Sequence, residues 1–189
     1  MTSVSHDGHR FGNAAEDRIE LVDYDPRWPA MFEEEAGRLR AALAGVDIGP
    51  FRLVHFGSTA IPGIAAKPII DIMLVSADSA RWPGLVGPLE RLEYVFWADN
   101  PRRDRMFFVK GMPPFGPRRS HHVHVRTPYD ANPALAFCEY LRRHPEEVAR
   151  YARLKRELAA RHPTDREAYT AGKDDFVAEI VRRLGDSPR

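Results

Sequence analysis

Two apolar segments joined by a turn rich in glycine and proline organise the first half of this chain. Phe51–Phe56 and Ile69–Val75 have the residue types of β-strands, and residues 57–68 form the turn between them. The first segment ends in Gly57-Ser58-Thr59, where backbone amides and two hydroxyls converge without side-chain bulk at the glycine. Such a turn can accept a phosphate oxygen. A plain crossover turn has the same residue types, so the pattern alone leaves both interpretations open.

Asp71 is the one charged residue of the second apolar segment. A carboxylate among apolar side chains costs free energy unless it is paired, hydrogen-bonded or bound to a metal. The alternation of a strand places Asp71, Met73 and Val75 on one face. The pattern predicts either a functional carboxylate or a structural ion pair, for example with Lys67 or an arginine.

A histidine-rich segment, Ser120–Arg126, supplies the second group of candidates. On a strand, His122 and His124 share one face with Arg126. Two imidazoles at this spacing can bind one metal ion or flank an anion, whereas a lone histidine is more often a satisfied core residue. Asp71 is the natural third ligand, so the predicted metal-binding set is Asp71, His122 and His124.

Two lysines fall on the apolar stripes of predicted C-terminal helices. Lys155 follows the stripe of one helix and Lys173 that of the next. Because lysines rarely face a core, either their stems extend past its edge or their ammonium groups reach a cleft that holds an anion. Cys138, the one cysteine, lies in an apolar helical pattern and is predicted to be a buried, unreactive thiol.

The order of the elements predicts an α+β fold of four or five strands with a C-terminal helical layer. Residues 1–17 are polar and predict a disordered tail, followed by a single domain over 18–185 with an α/β core (18–130) and C-terminal helices (131–185). The predicted strands are 19–22, 51–56, 69–75, 94–97, 105–110 and 120–126, and the predicted helices are 29–43, one carrying Trp82, Leu85, Leu89 and Leu92, 135–143, 145–161 and 165–184.

Charge and hydropathy exclude several classes of partner. The 28 basic and 27 acidic residues give a net charge of +1, so no bulk field attracts nucleic acid or a membrane surface. No apolar run approaches the roughly 20 residues that span a bilayer, and the polar N-terminus lacks the apolar stretch of a signal peptide. A cytoplasmic protein without nucleic-acid or membrane partners is expected.

The run His55-Phe-Gly-Ser-Thr-Ala-Ile-Pro-Gly-Ile-Ala-Ala-Lys-Pro-Ile-Ile-Asp71 closely resembles the GrpB family, bacterial proteins that are also found fused behind dephospho-CoA kinase. The resemblance covers nearly the whole chain after the tail and includes Tyr24-Asp-Pro-Arg-Trp28, Phe107-Phe-Val-Lys-Gly111 and Tyr169-Thr-Ala-Gly-Lys173. It implies a nucleotidyltransferase-like mixed sheet of four to six strands flanked by helices. In that superfamily, which includes DNA polymerase beta, a Gly-Ser turn holds the nucleoside triphosphate and a pair of acids binds divalent metal.

The chain departs from that superfamily pattern at one metal-binding position. Gly57-Ser58 matches the turn and Asp71 the first acid, but the second acid falls at Met73, and a thioether is a poor ligand for Mg²⁺. One carboxylate with two imidazoles would suit Mn²⁺, Zn²⁺ or Fe²⁺ better than Mg²⁺. A divalent metal is therefore the expected cofactor, with Mn²⁺ or Zn²⁺ ahead of Mg²⁺.

Together these features predict a protein that transfers a nucleotidyl or phosphoryl group to a small molecule. Asp71 and His124 are the expected catalytic residues, and the expected ligand is a nucleotide or a phosphorylated metabolite. The phosphates would be held by Gly57, Ser58, Thr59, Lys67, Lys155 and Lys173. Two alternatives remain open: a non-catalytic nucleotide- or coenzyme-binding module, which Met73 favours, and a metal-dependent hydrolase centred on His122 and His124.

Overall fold

A computed structural model describes residues 18–100 and 104–186 of the chain, which form a five-stranded mixed sheet with helices on both faces. The elements in chain order are α1 (Trp28–Leu43), β1 (Phe51–Phe56), β2 (Ile70–Ser76), α2 (Val86–Glu90), β3 (Tyr94–Phe96), β4 (Met106–Lys110), β5 (His121–Arg126), α3 (Pro128–Arg143), α4 (Pro145–Arg161), α5 (Arg166–Ala171) and α6 (Asp174–Asp186). The predicted α+β class and helical C-terminal layer are confirmed.

The strand order of the sheet is β1-β2-β5-β4-β3. β2 and β5 are parallel, and every other neighbouring pair is antiparallel. The parallel register places Asp71 beside His122 and Met73 beside His124. Because side chains alternate along each strand, the carboxylate and both imidazoles lie on one face of the sheet.

The two faces of the sheet are covered by different helices. Ile70, Ile72 and Leu74 pack with Leu39 of α1 in a core that also takes in α2. The opposite face carries Met73 and Val75, which pack against apolar side chains of α3, α4 and α6. The C-terminal helices therefore cover the same face that carries Asp71, which explains why that face combines core packing with polar groups.

Four predicted elements differ clearly from the observed ones. Residues 19–22 form no strand, because this segment lies outside the sheet and only Val22 pairs, in an isolated bridge to Ala66. The predicted helix over 165–184 is two helices, α5 and α6, separated at Gly172 and Lys173. The predicted helix that carries Leu85 begins as a 3-10 segment, Ser79–Leu85, and continues as the short α2.

α3 also begins earlier than predicted, at Pro128 instead of residue 135. Its N-cap is Thr127, whose side-chain oxygen accepts a hydrogen bond from the amide of Asp130. A proline at the first helical position follows, which is favourable there because its missing N–H would have no intrahelical partner. Pro133, just before the predicted start, lies inside the helix.

The predicted disordered tail, residues 1–17, lies outside the described residues. None of the helices within residues 18–100 and 104–186 combines the length and apolarity needed to cross a bilayer.

Candidate functional site

The Asp71 carboxylate lies between the two imidazoles of β5. Its Oδ1 atom is 3.0 Å from Nδ1 of His122 and 3.3 Å from Nε2 of His124. The side chains are partly exposed, 27% for Asp71, 12% for His122 and 20% for His124, so the cluster is reached from solvent. Because an ionised carboxylate only accepts hydrogen bonds, both facing nitrogens donate N–H in this arrangement.

The surroundings keep the carboxylate charged and at least one imidazole neutral. Burial alone would raise the pKa of Asp71, but hydrogen bonds from His122 and His124 outweigh it and hold that pKa far below its usual range. Burial lowers the pKa of His122 to about 4, although the Asp71 carboxylate opposes this shift. At neutral pH the pair therefore has the charge states that metal ligation requires of a carboxylate and an imidazole.

The cluster fits a divalent metal with mixed oxygen and nitrogen ligands. One ligand atom each from Asp71, His122 and His124 lie within 4.8 Å of one another. Nε2 of His122 is buried and has no hydrogen-bond partner among the described residues, which is unusual for a buried polar atom. Met73, at the position of the second acid, is fully buried in the core beneath the C-terminal helices. The donor set is thus one carboxylate and two imidazoles, which suits Mn²⁺, Zn²⁺ or Fe²⁺.

The Gly57 turn packs directly against this carboxylate. Gly57 has φ +73°, and a Cβ atom there would lie 2.7 Å from Oδ2 of Asp71, so only glycine fits. Its amide donates to Sγ of Cys138 at 3.2 Å. The thiol of α3 thus accepts the hydrogen bond of the Gly57 amide, and a contact of Gly57 with phosphate stays a prediction.

The two hydroxyls of the turn have different surroundings. Thr59 is buried, and its Oγ1 lies 3.0 Å from Nε2 of His55 and donates to the carbonyl of Ile69 at 3.4 Å. Thr59 thus holds the turn in place, and its contact with phosphate stays a prediction. Ser58 is half-buried, and its hydroxyl makes no hydrogen bond within the described part of the chain. Of the two, Ser58 keeps a hydroxyl for a ligand.

Three lysines from separate parts of the chain converge near Asp71. Nζ of Lys67 lies 5.3 Å from the ring centroid of Tyr169, and Nζ of Lys173 lies 4.6 Å from the same centroid. Burial lowers the pKa of Lys67 and of Lys155 to about 7, and repulsion among the lysines adds to both shifts. Asp71 opposes the shift in each case, which shows that its field reaches the cluster.

Lys155 has a structural contact that the sequence did not indicate. It is 2% exposed, and its Nζ donates to the carbonyl of Ala65 in the loop before β2. Ala66 in turn exchanges two backbone hydrogen bonds with Val22. Lys155 therefore helps to fix the loop that carries Lys67, and its role as a direct phosphate ligand stays a prediction.

Sequence reasoning missed the side chains of α3 that support the turn. Arg142 donates from Nε to the carbonyl of Ala60 at 2.9 Å and from Nη2 to that of His55 at 3.2 Å. Cys138, buried as predicted with its pKa raised by burial to about 11, lies one helical turn away. The spacing of four residues was visible in the sequence, but nothing there indicated that α3 packs on the turn.

Known proteins are similar to this chain over most of its length. The sequence profile described as "GrpB protein" matches residues 18–183. A UPF0157 protein of Pseudomonas aeruginosa is 52% identical over 177 residues, covering 94% of this chain and 72% of that protein. A dephospho-CoA kinase of Mycolicibacterium paratuberculosis is 32% identical over 89% of this chain, which spans 46% of the kinase.

Solved structures extend the comparison to the fold. The GrpB protein of Enterococcus faecalis is 32% identical, with a TM-score of 0.74 over 87% of this chain and 96% of its own. The Cid1 poly(U) polymerase, solved bound to MgATP, has a TM-score of 0.50 and 13% identity over 71% of this chain and 42% of its own. That likeness concerns the fold alone, and it is a nucleotidyltransferase-like one. On the family profile and these relatives, the chain belongs to the GrpB family.

Proposed function

We propose that this protein binds a nucleotide and transfers a nucleotidyl or phosphoryl group from it to a small-molecule acceptor. The observation that carries the proposal is the convergence of Asp71, His122 and His124 beside the Gly57-Ser58 turn, with Lys67 and Lys173 close by. An acidic and imidazole cluster next to converging cations is the environment that a phosphate and its counter-ion need. The nucleotidyltransferase-like fold supports this assignment.

Each residue has a distinct part in the proposed reaction. Lys67 and Lys173 bind phosphate oxygens, and Ser58 donates a further hydrogen bond. Asp71, His122 and His124 would hold a divalent metal, and the bound ion would neutralise part of the phosphate charge. An oxygen of the acceptor bonds to phosphorus while the bond from phosphorus to the leaving phosphate oxygen breaks. The acceptor proton passes to the imidazole of His124, the more exposed of the two, when Asp71 and His122 alone hold the metal.

Asp71→Asn tests the proposal because it removes the charge and keeps the shape. We expect nucleoside triphosphates to raise the melting temperature of the wild-type protein more strongly with Mn²⁺ or Zn²⁺ present than without. A ligand at about 100 times its Kd stabilises by about 2.7 kcal/mol. The variant should lose the metal-dependent part and all turnover, measured by ³¹P NMR of the products.

Asp175→Asn, a change at an exposed aspartate of α6, is the matched control and should behave like wild type. A large loss of stability in Asp71→Asn with unchanged nucleotide affinity would instead show a structural aspartate and contradict the proposal.

A binding module without chemistry is the second candidate, and Met73 favours it. Because Met73 is fully buried at the register position beside His124, the site has one carboxylate where paired acids would hold two metal ions. This candidate predicts nucleotide or coenzyme binding that needs no metal and yields no product. Zn²⁺ or Fe²⁺ retained stoichiometrically through dialysis would favour the third candidate, a hydrolase centred on the two histidines.

A further inference from the structure

Aromatic side chains extend the site face of the sheet beyond the two histidines. Phe107 on β4 lies opposite His124, and its ring centroid is 4.7 Å from that of His124 and 5.0 Å from that of His122. Trp97, which follows β3, packs edge-on against Phe107 at 5.9 Å between centroids. Both rings are half-buried. Trp97 and Phe107 are called the aromatic shelf below.

A cavity of about 540 Å³ lies between residues 104–105, just before β4, and the first turn of α3. Arg105 lines this cavity and is two residues before Phe107 in the chain, although neither ring of the aromatic shelf lines it. Tyr129, 87% exposed, and Asp130 line the opposite wall. The volume is within the roughly 300–1,000 Å³ typical of small-molecule sites.

The aromatic shelf and the lysines lie toward opposite ends of the parallel strands. Lys67 precedes β2, at the end where Ile70 pairs with His121. The cavity lies at the other end, because Met106 at the start of β4 pairs with Val125 near the end of β5. A ligand held by the lysines and a ligand on the aromatic shelf would therefore meet at Asp71 and His124.

We propose that the aromatic shelf binds the planar ring of the second substrate, an aromatic or heteroaromatic compound that carries a hydroxyl or amine acceptor group. This inference rests on the proposed transfer function for the identity of the other ligand. A ring stacked on Phe107 brings its substituents next to His124, whose ring lies 4.7 Å from that of Phe107. The cavity lined by Arg105 and Tyr129 holds the remainder of the molecule. Stacking on aromatic side chains tolerates many planar rings, so the shelf selects a class of compound.

Fluorine NMR on protein labelled with 5-fluorotryptophan tests the assignment. The chain has three tryptophans, and Trp28 and Trp82 are only 2% and 5% exposed, so the half-buried Trp97 is the most exposed of the three. Trp97→Phe identifies its resonance. Adenosine, uridine and indole serve as phosphate-free probes and ribose as the non-planar control. At least one planar probe should shift the Trp97 resonance saturably, while ribose should not.

Phe107→Leu should weaken that binding about ten-fold or more, as measured by calorimetry, because it removes one stacking surface. Phe115→Leu, at a phenylalanine that is 46% exposed in the loop after β4, is the matched control and should leave the affinity unchanged. Trp97→Phe keeps an aromatic ring, so it should weaken binding less than Phe107→Leu does. It is the second variant of the aromatic shelf, and it still tests the inference if Phe107→Leu does not fold. Saturable binding that is insensitive to Phe107→Leu, or no saturable binding by any planar probe, overturns the inference.

Two further titrations separate this inference from the proposed function. Pyrophosphate reports on the lysines alone, so a protein that binds adenosine but not pyrophosphate contradicts the proposed function and leaves the aromatic shelf supported. ATP and the planar probe should bind at the same time. If ATP displaces the probe, the base of the nucleotide itself occupies the shelf, and the assignment to a second substrate is wrong.

Discussion

Gly57 and Asp71 are in such close contact that the backbone of the turn and the position of the carboxylate depend on each other. The backbone of Gly57, at φ +73° and ψ −170°, lies in a region essentially restricted to glycine. A methyl group there would also meet Oδ2 of Asp71 at 2.7 Å. Gly63, in the same turn, has φ +79° but open space around its Cβ position. A comparison of substitutions at the two glycines therefore shows what the contact with the carboxylate adds to the cost of a positive φ.

Gly57→Ala should lower the free energy of unfolding by about 1–3 kcal/mol more than Gly63→Ala, measured by urea denaturation. The extra cost arises because the new methyl group must displace Asp71 from its hydrogen bonds with His122 and His124. The same variant should lose metal-dependent stabilisation by nucleotides, whereas Gly63→Ala should keep it. Equal unfolding free energies for the two variants would show that the carboxylate moves freely and that the turn does not fix it.

At the scale of elements, α3 supports the turn from the side opposite the strands. Its side chains Cys138 and Arg142, one helical turn apart, contact the amide of Gly57 and the carbonyls of His55 and Ala60. These contacts join the C-terminal helical layer to the end of β1. The position of Ser58 and of the backbone against Asp71 thus depends on a helix more than eighty residues away in the sequence.

Arg142→Met should lower the unfolding free energy by about 1–3 kcal/mol, because two main-chain carbonyls lose a charged donor while the aliphatic stem is kept. Arg143→Met is the control. Arg143 is 71% exposed and pairs with Glu139 at the surface, so its loss should change stability by no more than about 0.5 kcal/mol. Thermal and urea unfolding of both variants measure the difference. Similar losses in both would mean that the contacts of Arg142 with the turn contribute little.

The sequence predicted most helices and strands correctly, because the residue pattern that favours each one lies within it or next to it. The bounds of β1 and α4 were predicted correctly, since the apolar pattern of each segment and the prolines at or next to its ends (Pro50, Pro145 and Pro163) are local features of the sequence. Residues 19–22 alternate like a strand, but whether such a segment joins a sheet depends on a partner elsewhere in the chain. The early start of α3 was missed because the predicted helix began at residue 135, whereas the N-cap Thr127 determines where α3 begins.

The candidate site was predictable only in part for the same reason. The alternation of side chains assigned Asp71 to one face of its strand and the two histidines to one face of theirs. It could not predict that β2 pairs with β5, because the pattern within a strand does not specify its neighbour in the sheet. The family resemblance pointed to Asp71 and the turn. The contacts of Thr59, Cys138 and Arg142 could not be predicted, because each partner lies on an element with an independent local pattern.

At the scale of the whole molecule, the fold gathers cations that the sequence keeps far apart. Lys67 comes from the loop before β2, Lys155 from α4 and Lys173 from the break between α5 and α6. Burial, together with mutual repulsion, lowers the pKa of Lys67 and of Lys155 to about 7. The chain as a whole is nearly neutral, so this local concentration of positive charge arises from tertiary structure.

A polyanion bound beside these lysines should favour their charged forms and raise their pKa values. Near pH 8, Lys67 and Lys155 are largely neutral in the free protein, so the binding of pyrophosphate should take up protons. The affinity for pyrophosphate should therefore fall as the pH rises above about 7, by up to ten-fold per pH unit for each proton taken up. Ordinary exposed lysines, with a pKa near 10.4, would show no such dependence below pH 9.

Calorimetry at pH 8 in two buffers of different ionisation enthalpy measures the uptake directly. Lys67→Met should reduce it, and Lys110→Met should not, because Lys110 pairs with Glu35 on the other face of the sheet. Binding without proton uptake would place the anion away from the buried lysines.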